Sequence, residues 1–489
     1  MSDATTIDGT RGRRKWAVFA VLAGAAALTI LDVSKLGIAL PAIQADMGGD
    51  PATVQFMLVG YTLAYAAMLL PAGRIGDVVP RRTVFLTGMI VFVASSVACT
   101  FAPTIEWLVA ARVIEGLGAG LLMPQVLGLI QRVFPAGERA KPLAALAAIT
   151  SLTSLGAPVL AGFIMDVAGD QLGWRLLFLV TVVAGAIILP FAFVVVHEPV
   201  GDRRRGYDTI GTVLLAVGVV LTIGPLSAIS GTEPPAPWIF VGIGLGIAFL
   251  AAFIAHERRV TQRGREPLVD PELFRLPHLP AGVLISGCMH AAATAGTLVV
   301  TIALQQLAHL SALETAMWML PAAAASLLGS WIATRVSPTN GHVVALGTAT
   351  GALALAGSGL VFGAASTSTV PPLIAALLCV SAFGSGLSAP ANQARTLLHT
   401  PGHRSSVAGS LIQFAQRTGS AIGMALALII YYAFFSDTSF AGRPASGAMW
   451  ALWAVSVFLV VATVIAVVDH ARTPRVAPEV VEPEPQFVP

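Results

Sequence analysis

Residues 336–394 read VSPTNGHVVALGTATGALALAGSGLVFGAASTSTVPPLIAALLCVSAFGSGLSAPANQA and contain no Asp, Glu, Lys or Arg. An apolar helix needs about 20 residues to cross the hydrocarbon core of a bilayer. The stretch is long enough for two such helices. The turn between them is expected at Ser366–Pro372, because the sequence STSTVPP is rich in residues that favour turns. The stretch therefore predicts a pair of membrane-spanning helices.

The whole chain shares this character. Of its 489 residues, 56% are hydrophobic and 11% are charged, whereas soluble domains are about 25% charged. Fourteen segments are long and apolar enough to span a bilayer. They are residues 16–41, 53–72, 83–103, 106–130, 142–165, 175–196, 209–230, 236–256, 278–305, 312–334, 342–364, 371–397, 405–435 and 446–469. Backbone groups in lipid must bond within their own segment, so the fold is predicted to be an all-α membrane protein.

The basic residues test this topology. With the N-terminus in the cytoplasm, 23 of the 28 Lys and Arg residues fall in cytoplasmic segments, and only Arg443 and the interfacial Arg175 fall near the other side. Positive charge is enriched in cytoplasmic loops, and a miscounted span would invert the distribution downstream. The sequence therefore predicts 14 transmembrane helices, with both termini in the cytoplasm, in a multi-pass protein of the cell membrane.

Polar stretches divide the chain. HEPVGDRRRGY at His197–Tyr207 and the segment His256–His278 separate two spans from the six before them and the six after them. We expect a six-helix half at residues 1–200, two extra linker helices at 201–270 and a second six-helix half at 271–475. The Pro- and Glu-rich residues 476–489 are expected to form a disordered cytoplasmic tail.

The sequence argues against enzymes and cofactor proteins. An ATP-driven pump needs GxxxxGK[ST], but none of the three lysines, Lys15, Lys35 and Lys141, follows a glycine. No HExxH, GxSxG or metal-ligand spacing occurs, and the three cysteines lack the pattern of a disulfide framework or a metal site. The basic residues are scattered rather than gathered on a nucleic-acid-binding face. We expect no cofactor, no metal and no nucleic acid, and a monomer whose partners are a small-molecule substrate, protons and the lipid bilayer.

Five segments carry a family resemblance. LDVSKLGIALP at Leu31–Pro41 and RVIEGLGAG at Arg112–Gly120 lie in the first and fourth spans, and GRIGDVVPRR at Gly73–Arg82 follows the second. The fifth span holds GAPVLAG at Gly156–Gly162, and the thirteenth holds QRTG at Gln416–Gly419. In this order they resemble the motifs of the fourteen-helix drug:proton antiporters of the major facilitator superfamily, the EmrB/QacA-like group. The resemblance implies a substrate site near mid-membrane, between two six-helix halves.

The resemblance also implies roles for two of these segments. The loop motif would latch the two halves in the outward-facing state by placing Asp77 near the N-terminus of the thirteenth span, and a simple tight turn is the alternative. Its residues are Gly73, Gly76, Asp77, Arg81 and Arg82. The fifth-span motif would bend the helix and indicate exchange rather than uptake. Its residues are Gly156, Ala157, Pro158 and Gly162.

The sequence departs from the family pattern in several places. Val78, Pro80, Glu115, Ala157 and Ala161 replace the usual residues of these motifs, and Lys35 is unusual in the first span. These departures leave the fold unaffected and the substrate preference open.

Six ionisable residues lie at hydrocarbon depth. They are Asp32, Lys35, Arg112, Glu115, His290 and Arg417. A charge near the bilayer centre costs about 2.5–3.5 kcal/mol on insertion scales, so each residue needs a partner or a water-filled cavity. We predict that the six residues form the proton and substrate pathway.

Structural roles are the alternatives for these residues. Asp32 and Lys35 are three residues apart on one helix face, so they form either a neutralising ion pair or a protonation and substrate site. Arg112 and Glu115 share this spacing. The resemblance implies that Arg112 takes part in proton coupling with Glu115 as the proton carrier, and a local ion pair is the alternative. His290 is either a titrating residue or a packed, hydrogen-bonded one.

These observations predict proton-coupled efflux of small molecules, such as drugs or antibiotics, by alternating access. The alternative within transport is a dedicated exporter or proton symporter of one metabolite, including anionic or zwitterionic compounds. A membrane-embedded enzyme or receptor would need catalytic carboxylates or histidine clusters near a loop, and the sequence shows none.

Overall fold

The structure, a computed structural model, describes residues 2–48, 51–135, 138–197, 208–229, 236–265, 267–336, 340–364, 368–400, 405–435 and 446–472. Within these ranges the side chains of residues 2–13, 51, 52, 77, 140, 155, 227, 405, 406 and 435 are left out of the description. The predicted tail at 476–489 and the side chain of Asp77 therefore lie outside the described part of the protein.

Long helices occupy the predicted spans. They are α1 (Ser2–Met47), α2 (Pro51–Val78), α3 (Arg81–Thr100), α4 (Ile105–Val133), α5 (Ala140–Val195), α6 (Thr209–Ile223), α7 (Pro237–Gln262), α8 (Leu279–Leu307), α9 (Ala312–Val336), α10 (Gly341–Ala364), α11 (Val370–Leu397), α12 (Ser405–Phe435) and α13 (Ser446–Arg472). Short 3₁₀ helices lie at Gly224–Ala228 and Pro271–Arg275. Among the described residues there is no strand, and 13 helical stretches are long and apolar enough to cross a membrane.

One helix accounts for two spans. α5 has 56 residues, far more than the roughly 20 that cross a bilayer. It changes direction at Gly169, where φ is 72° and ψ is 165°. Glycine adopts such positive φ values at no steric cost. The parts of α5 on either side of Gly169 are the fifth and sixth predicted spans, and the 13 stretches therefore provide 14 crossings.

The helices pack in three groups. α1 to α5 pack against one another, α8 to α13 pack against one another, and α6 and α7 form a hairpin whose main contact is internal. The first two groups meet mainly where α2 packs on α12 and where α5 packs on α9. The two-helix hairpin (α6 and α7) packs against α2, partly through the 3₁₀ helix Gly224–Ala228.

The outer surface is apolar. Leu353 is 75% exposed, and Val194 and Phe191 are also largely exposed. Such residues belong in contact with lipid, since the acyl chains are as apolar as the side chains themselves. The all-α membrane fold predicted from the sequence is therefore confirmed.

The charge-free stretch also behaves as predicted. The stretch contains α10 (Gly341–Ala364) and most of α11 (Val370–Leu397), and α11 begins at Val370, inside the segment expected to form the turn. The first helix begins earlier than its apolar stretch, because helical backbone continues through the polar residues before Trp16. The division of the chain at residues 200, 270 and 475 stays a prediction.

Candidate functional site

A cavity lies between the two six-helix groups. Its volume is about 530 Å³, and its walls come from both groups. The basic side chains in the wall are Arg112 from α4, His290 from α8 and Arg417 from α12. No carboxylate is among its described lining residues. The charged side chains that meet the cavity are therefore arginines.

A buried ion cluster adjoins this cavity. Asp32 is 0% exposed and pairs with Lys35, whose Nζ lies 2.7 Å from Asp32 Oδ1. Arg112 on α4 forms a second ion pair with the other carboxylate oxygen of Asp32. The two local pairs expected from sequence spacing are therefore joined across helices by Arg112.

Glu115 completes the cluster. One oxygen of its carboxylate lies 2.6 Å from Arg112 Nη1. The Ser96 hydroxyl donates to the other oxygen, and the Cys99 thiol lies 3.6 Å from the first. Glu115 is fully buried and does not line the cavity. Two carboxylates and two cations balance in charge, which lowers the large cost of burying ions.

Lys35 is fixed by α5. Its ammonium donates to the Leu177 carbonyl at 3.0 Å and to the Thr181 hydroxyl at 2.6 Å. It also lies 4.7 Å from the centre of the Phe178 ring, which favours a cation by its π electrons. With Asp32, these contacts occupy the ammonium donors, so Lys35 serves the cluster and does not line the cavity.

Two tyrosines on α2 connect the cluster to the opposite helix group. The Arg112 guanidinium lies 3.9 Å from the centre of the Tyr61 ring, and Tyr61 packs edge-on against Tyr65 at 6.1 Å. Arg417 on α12 lies 4.5 Å from the centre of the Tyr65 ring. This cation–π chain runs from Arg112 in the first group to Arg417 in the second.

Two polar atoms of the cation–π chain have no hydrogen-bond partner among the described residues. Arg112 Nε and the Tyr61 hydroxyl are buried, and neither has a hydrogen-bond partner among the described residues. Both residues line the cavity. Buried polar groups are normally paired, so these donors are suited to water or a ligand in the cavity.

His290 lies near Arg417 on the cavity wall. Its Nδ1 is 3.0 Å from the Ser286 carbonyl, one turn back on α8. In the described part of the chain Arg417 has no carboxylate within ion-pair distance, and its ring contact with Tyr65 is the interaction described above. Of the six residues predicted for the pathway, four form the buried cluster, and the other two line the cavity wall together with Arg112.

The fifth-span motif lies where the helix groups meet. A methyl group at Gly162 would lie 2.7 Å from Leu313 Cα and 2.8 Å from the Ala312 carbonyl oxygen, so α5 and α9 approach closely there. Pro158 lines the cavity, Ala157 is buried, and Gly156 has open space around it. The four motif residues therefore have different surroundings.

Two further hydrogen bonds join the two helix groups on the same side of the cavity as the contact of Gly162 with α9. Gln305 Nε2 donates to the Ile38 carbonyl at 3.3 Å. Gln55 Nε2 donates to the Ala425 carbonyl at 3.1 Å. Both contacts lie towards the helix ends that the predicted topology places outside the cell, and they join the two helix groups there.

The motif at Gly73–Arg82 was expected to form a loop, but most of it is helical, since α2 runs to Val78 and α3 begins at Arg81. Its residues are anchored to α4. Arg81 Nη1 lies 3.5 Å from the Pro124 carbonyl and 3.4 Å from Gln125 Oε1, and Gln125 Nε2 donates to the Ala72 carbonyl at 2.7 Å. A side chain at Gly76 would overlap Gln125.

Two other residues of this motif contact helices other than α4. Arg82 donates to the Phe193 carbonyl at 2.9 Å, and Gly73 faces Ser410 of α12. The latch proposed for Asp77 falls outside the described side chains and stays a prediction.

Sequence reasoning missed several members of the site. Ser96, Thr181 and Gln125 bind the charged residues. These polar residues could have been identified from the sequence, because a polar side chain in an apolar span needs a partner inside the protein.

The chain is similar in sequence to two proteins of Streptomyces species. The chain is 36% identical over 274 residues to a probable actinorhodin transporter of Streptomyces coelicolor, covering 56% of this chain and 47% of that protein. It is 28% identical over 435 residues to the tetracenomycin C resistance and export protein of Streptomyces glaucescens, covering 86% and 77%. The chain thus spans about half the length of the first of these relatives.

Solved structures and a family profile fix the fold. An auto-inhibited peptide transporter of the POT family superposes with a TM-score of 0.70 at 14% identity, covering 96% of this chain and 98% of that one. The profile of the Major Facilitator Superfamily matches residues 22–424. The chain belongs to the Major Facilitator Superfamily and is a multi-pass membrane protein.

Proposed function

We propose that this protein exports small molecules from the cell in exchange for protons, acting as a monomer by alternating access. The observation that carries the proposal is the buried cluster in which Asp32 and Glu115 share the Arg112 guanidinium beside the cavity. A dry cluster of this kind is costly for a protein that needs only packing, and intramembrane ionisable groups mark ion pathways. Export is supported by the name of one Streptomyces relative, the tetracenomycin C resistance and export protein.

Glu115 is the better proton carrier of the two carboxylates. Asp32 is held by two cations, Lys35 and Arg112, whereas Glu115 is held by Arg112 alone. An opposite charge at close range favours the ionised form of a carboxyl group, so protonation costs less at Glu115. Neutral Glu115 would leave Arg112 attracted to Asp32 only.

Movement of Arg112 would then transmit the protonation of Glu115 to the cavity. It is the member of the cluster that lines the cavity, and it stacks on Tyr61. A shift of the guanidinium away from Glu115 changes the position of Tyr61 and, through Tyr65, the contact with Arg417 on α12. The cation–π chain thus provides a physical link between proton uptake and the packing of the two helix groups.

The cavity wall favours neutral or acidic substrates over cations. Its charged groups are guanidinium groups, and its described lining residues include no carboxylate. A cationic substrate would meet repulsion in a medium of low dielectric constant. Neutral compounds suit exchange best, because their binding does not require Glu115 to be protonated.

An anionic substrate would favour the second candidate function, proton symport. Protonating Glu115 removes one negative charge and leaves the cluster with a net positive charge, which strengthens anion binding. Proton and anion would then bind together, and thermodynamic linkage makes the effect reciprocal. The specific observation in its favour is the position of Arg417 and Arg112 on one cavity.

Everted membrane vesicles distinguish the two candidates. Respiration acidifies the lumen, and a substrate is then added outside. An exchanger carries substrate inward and protons outward, so the lumen becomes less acidic. A symporter does not discharge the gradient under these conditions. Discharge that is absent for every exported compound, while export itself continues, would rule out exchange.

Arg417→Gln should impair acidic substrates selectively. A hydrogen bond to a charged group is worth about 1.5–3 kcal/mol, so the KM for a carboxylated aromatic compound should rise by roughly tenfold or more. The KM for its methyl ester should change little. Transport of the pair in vesicles measures the effect, with Arg335→Gln at the cytoplasmic end of α9 as the control. Equal losses for acid and ester would contradict a substrate contact at Arg417.

Gly162→Ala should impair transport of all substrates. The added methyl group would press on backbone atoms of Ala312 and Leu313, which cannot move as a side-chain end can, so the extracellular closure of α5 on α9 is disfavoured. Gly156→Ala is the matched control, because a methyl group there meets no atom within 4 Å. Transport rate at equal expression measures both variants. Equal rates would show that closure does not require this contact.

A further inference from the structure

A second cluster of titratable groups lies outside the transport site. Asp208 precedes α6, and His256 and Glu257 lie near the end of α7. His256 Nε2 is 2.9 Å from Asp208 Oδ1 and 3.0 Å from Asp208 Oδ2. One ligand atom from each of the three residues lies within 4.8 Å of the other two. This Asp208–His256–Glu257 cluster is at the cytoplasmic end of the two-helix hairpin.

Glu257 is the unusual member of the cluster. It is 2% exposed. One of its oxygens accepts the Val269 backbone N–H at 2.8 Å, and the other, Oε1, is buried without a hydrogen-bond partner among the described residues. A buried acceptor without a partner is costly. Oε1 lies beside the Asp208 carboxyl group, and two carboxylates that lie together are suited to a shared cation.

Backbone space at the cluster is reserved for the two carboxyl groups. A methyl group at Gly211 would lie 2.6 Å from both Asp208 Oδ2 and Glu257 Oε1. Both oxygens therefore face the same small volume beside the first turn of α6. The Gly211 N–H donates to Asp208 Oδ1 at 2.9 Å, which fixes the orientation of that carboxyl group.

We propose that Asp208, His256 and Glu257 bind a divalent transition-metal cation such as Zn²⁺. One imidazole nitrogen and two carboxylate oxygens are a common ligand set for such ions, with Zn–N and Zn–O bonds of about 2.0–2.2 Å. The imidazole favours transition metals over Mg²⁺ or Ca²⁺. A cation would also compensate two carboxylates that lie together.

The site has an entry path from the cytoplasm. The His256 side chain is 23% exposed and that of Asp208 is 11% exposed, whereas Glu257 forms the floor. Water can occupy the remaining coordination position on the exposed side. No catalytic task is implied, because the three ligands are not among the residues that line the transport cavity.

The bound cation would join three parts of the protein. Asp208 belongs to the start of α6, His256 and Glu257 belong to α7, and the Val269 segment leads into the second helix group. Arg74, near the C-terminal end of α2, donates to the Pro267 carbonyl of the same segment. The metal would therefore brace the hairpin against the segment that also contacts the end of α2.

Metal binding to the purified transporter tests the proposal. The full chain is purified in detergent with its affinity tag removed, stripped with a chelator and titrated with Zn²⁺ or Mn²⁺ against a chromophoric chelator. Losing an outer partner of a metal site costs about 10–100-fold in affinity, so His256→Ala and Glu257→Gln, which remove ligands, should cost at least about 100-fold. Metal should also raise the thermal stability of the wild type but not of these variants.

Matched controls separate the site from surface binding. His197→Ala and Glu272→Gln remove an exposed imidazole and an exposed carboxylate on the same side of the membrane, and both should bind metal like the wild type. Glu257→Gln keeps the shape of the side chain, so a monodisperse variant without metal is the supporting result. Equal affinity in wild type and Glu257→Gln would overturn the proposal, as would wild type that binds neither Zn²⁺ nor Mn²⁺.

Discussion

The Arg112→Met variant should lose much of its folded yield. Arg112 pairs with both Asp32 and Glu115, so its removal leaves two buried carboxylates with Lys35 as the cation of the cluster. Breaking a buried ion pair from one side costs about 3–5 kcal/mol, which is large beside a typical stability of about 5–15 kcal/mol. The monodisperse fraction in detergent and its thermal unfolding temperature measure the loss.

A double variant tests the charge argument directly. In Arg112→Met/Glu115→Gln the remaining pair, Asp32 and Lys35, is again balanced. We expect the double variant to recover most of the folded yield and to remain inactive in transport, because the guanidinium that meets the cavity is gone. Arg132→Met removes an exposed arginine from the last turn of the same helix and should be neutral. A double variant no more stable than Arg112→Met would contradict the cluster.

Hydropathy predicted the fold because lipid imposes a simple rule on each segment separately. Backbone groups must be satisfied within a helix, and a helix needs a fixed length to cross. The charge-free residues 336–394 satisfied both conditions twice, and the structure contains α10 and α11 there. The break between the fifth and sixth spans was also predictable in place, although the chain turns there at Gly169 within a single helical element.

The partners of the charged residues were not predictable in the same way. Sequence spacing identifies neighbours on one helix, such as Asp32 and Lys35, but says nothing about how a helix is rotated towards the next one. Arg112 reaches Asp32 across 80 positions, and Lys35 reaches Thr181 across 146. Small residues such as Gly116, where a methyl group would overlap the backbone of Tyr61, allow the close approach that creates these contacts.

The same limit applies to the Asp208–His256–Glu257 cluster. Asp208 and His256 are 48 positions apart, so no motif spacing indicates a metal site, and none was expected from the sequence. The hairpin of α6 and α7 brings the residues together. The packing of two helices, which residue spacing along the chain does not indicate, therefore creates the cluster.

Glu115→Gln should abolish the coupling of substrate to protons while preserving the fold. Glutamine keeps the size of the side chain and an acceptor for the Ser96 hydroxyl, which donates to Glu115, but it carries no charge and takes up no proton. The cluster is then fixed in the charge state of protonated Glu115. In unbuffered detergent solution with a pH dye, substrate should release protons from the wild type and none from the variant.

Substrate affinity in this variant also distinguishes the two modes of transport. Under exchange, a permanently neutral side chain imitates the proton-loaded carrier, so affinity should fall to its acid-pH value and stay there at every pH. Under symport of an anion, affinity should rise and stay high, because the positive cluster is permanent. Glu106→Gln, an exposed glutamate at the start of the same helix, should behave as wild type. Persistent proton release by Glu115→Gln would assign the proton to another group, and Asp32 would then be the remaining carboxylate that Arg112 contacts.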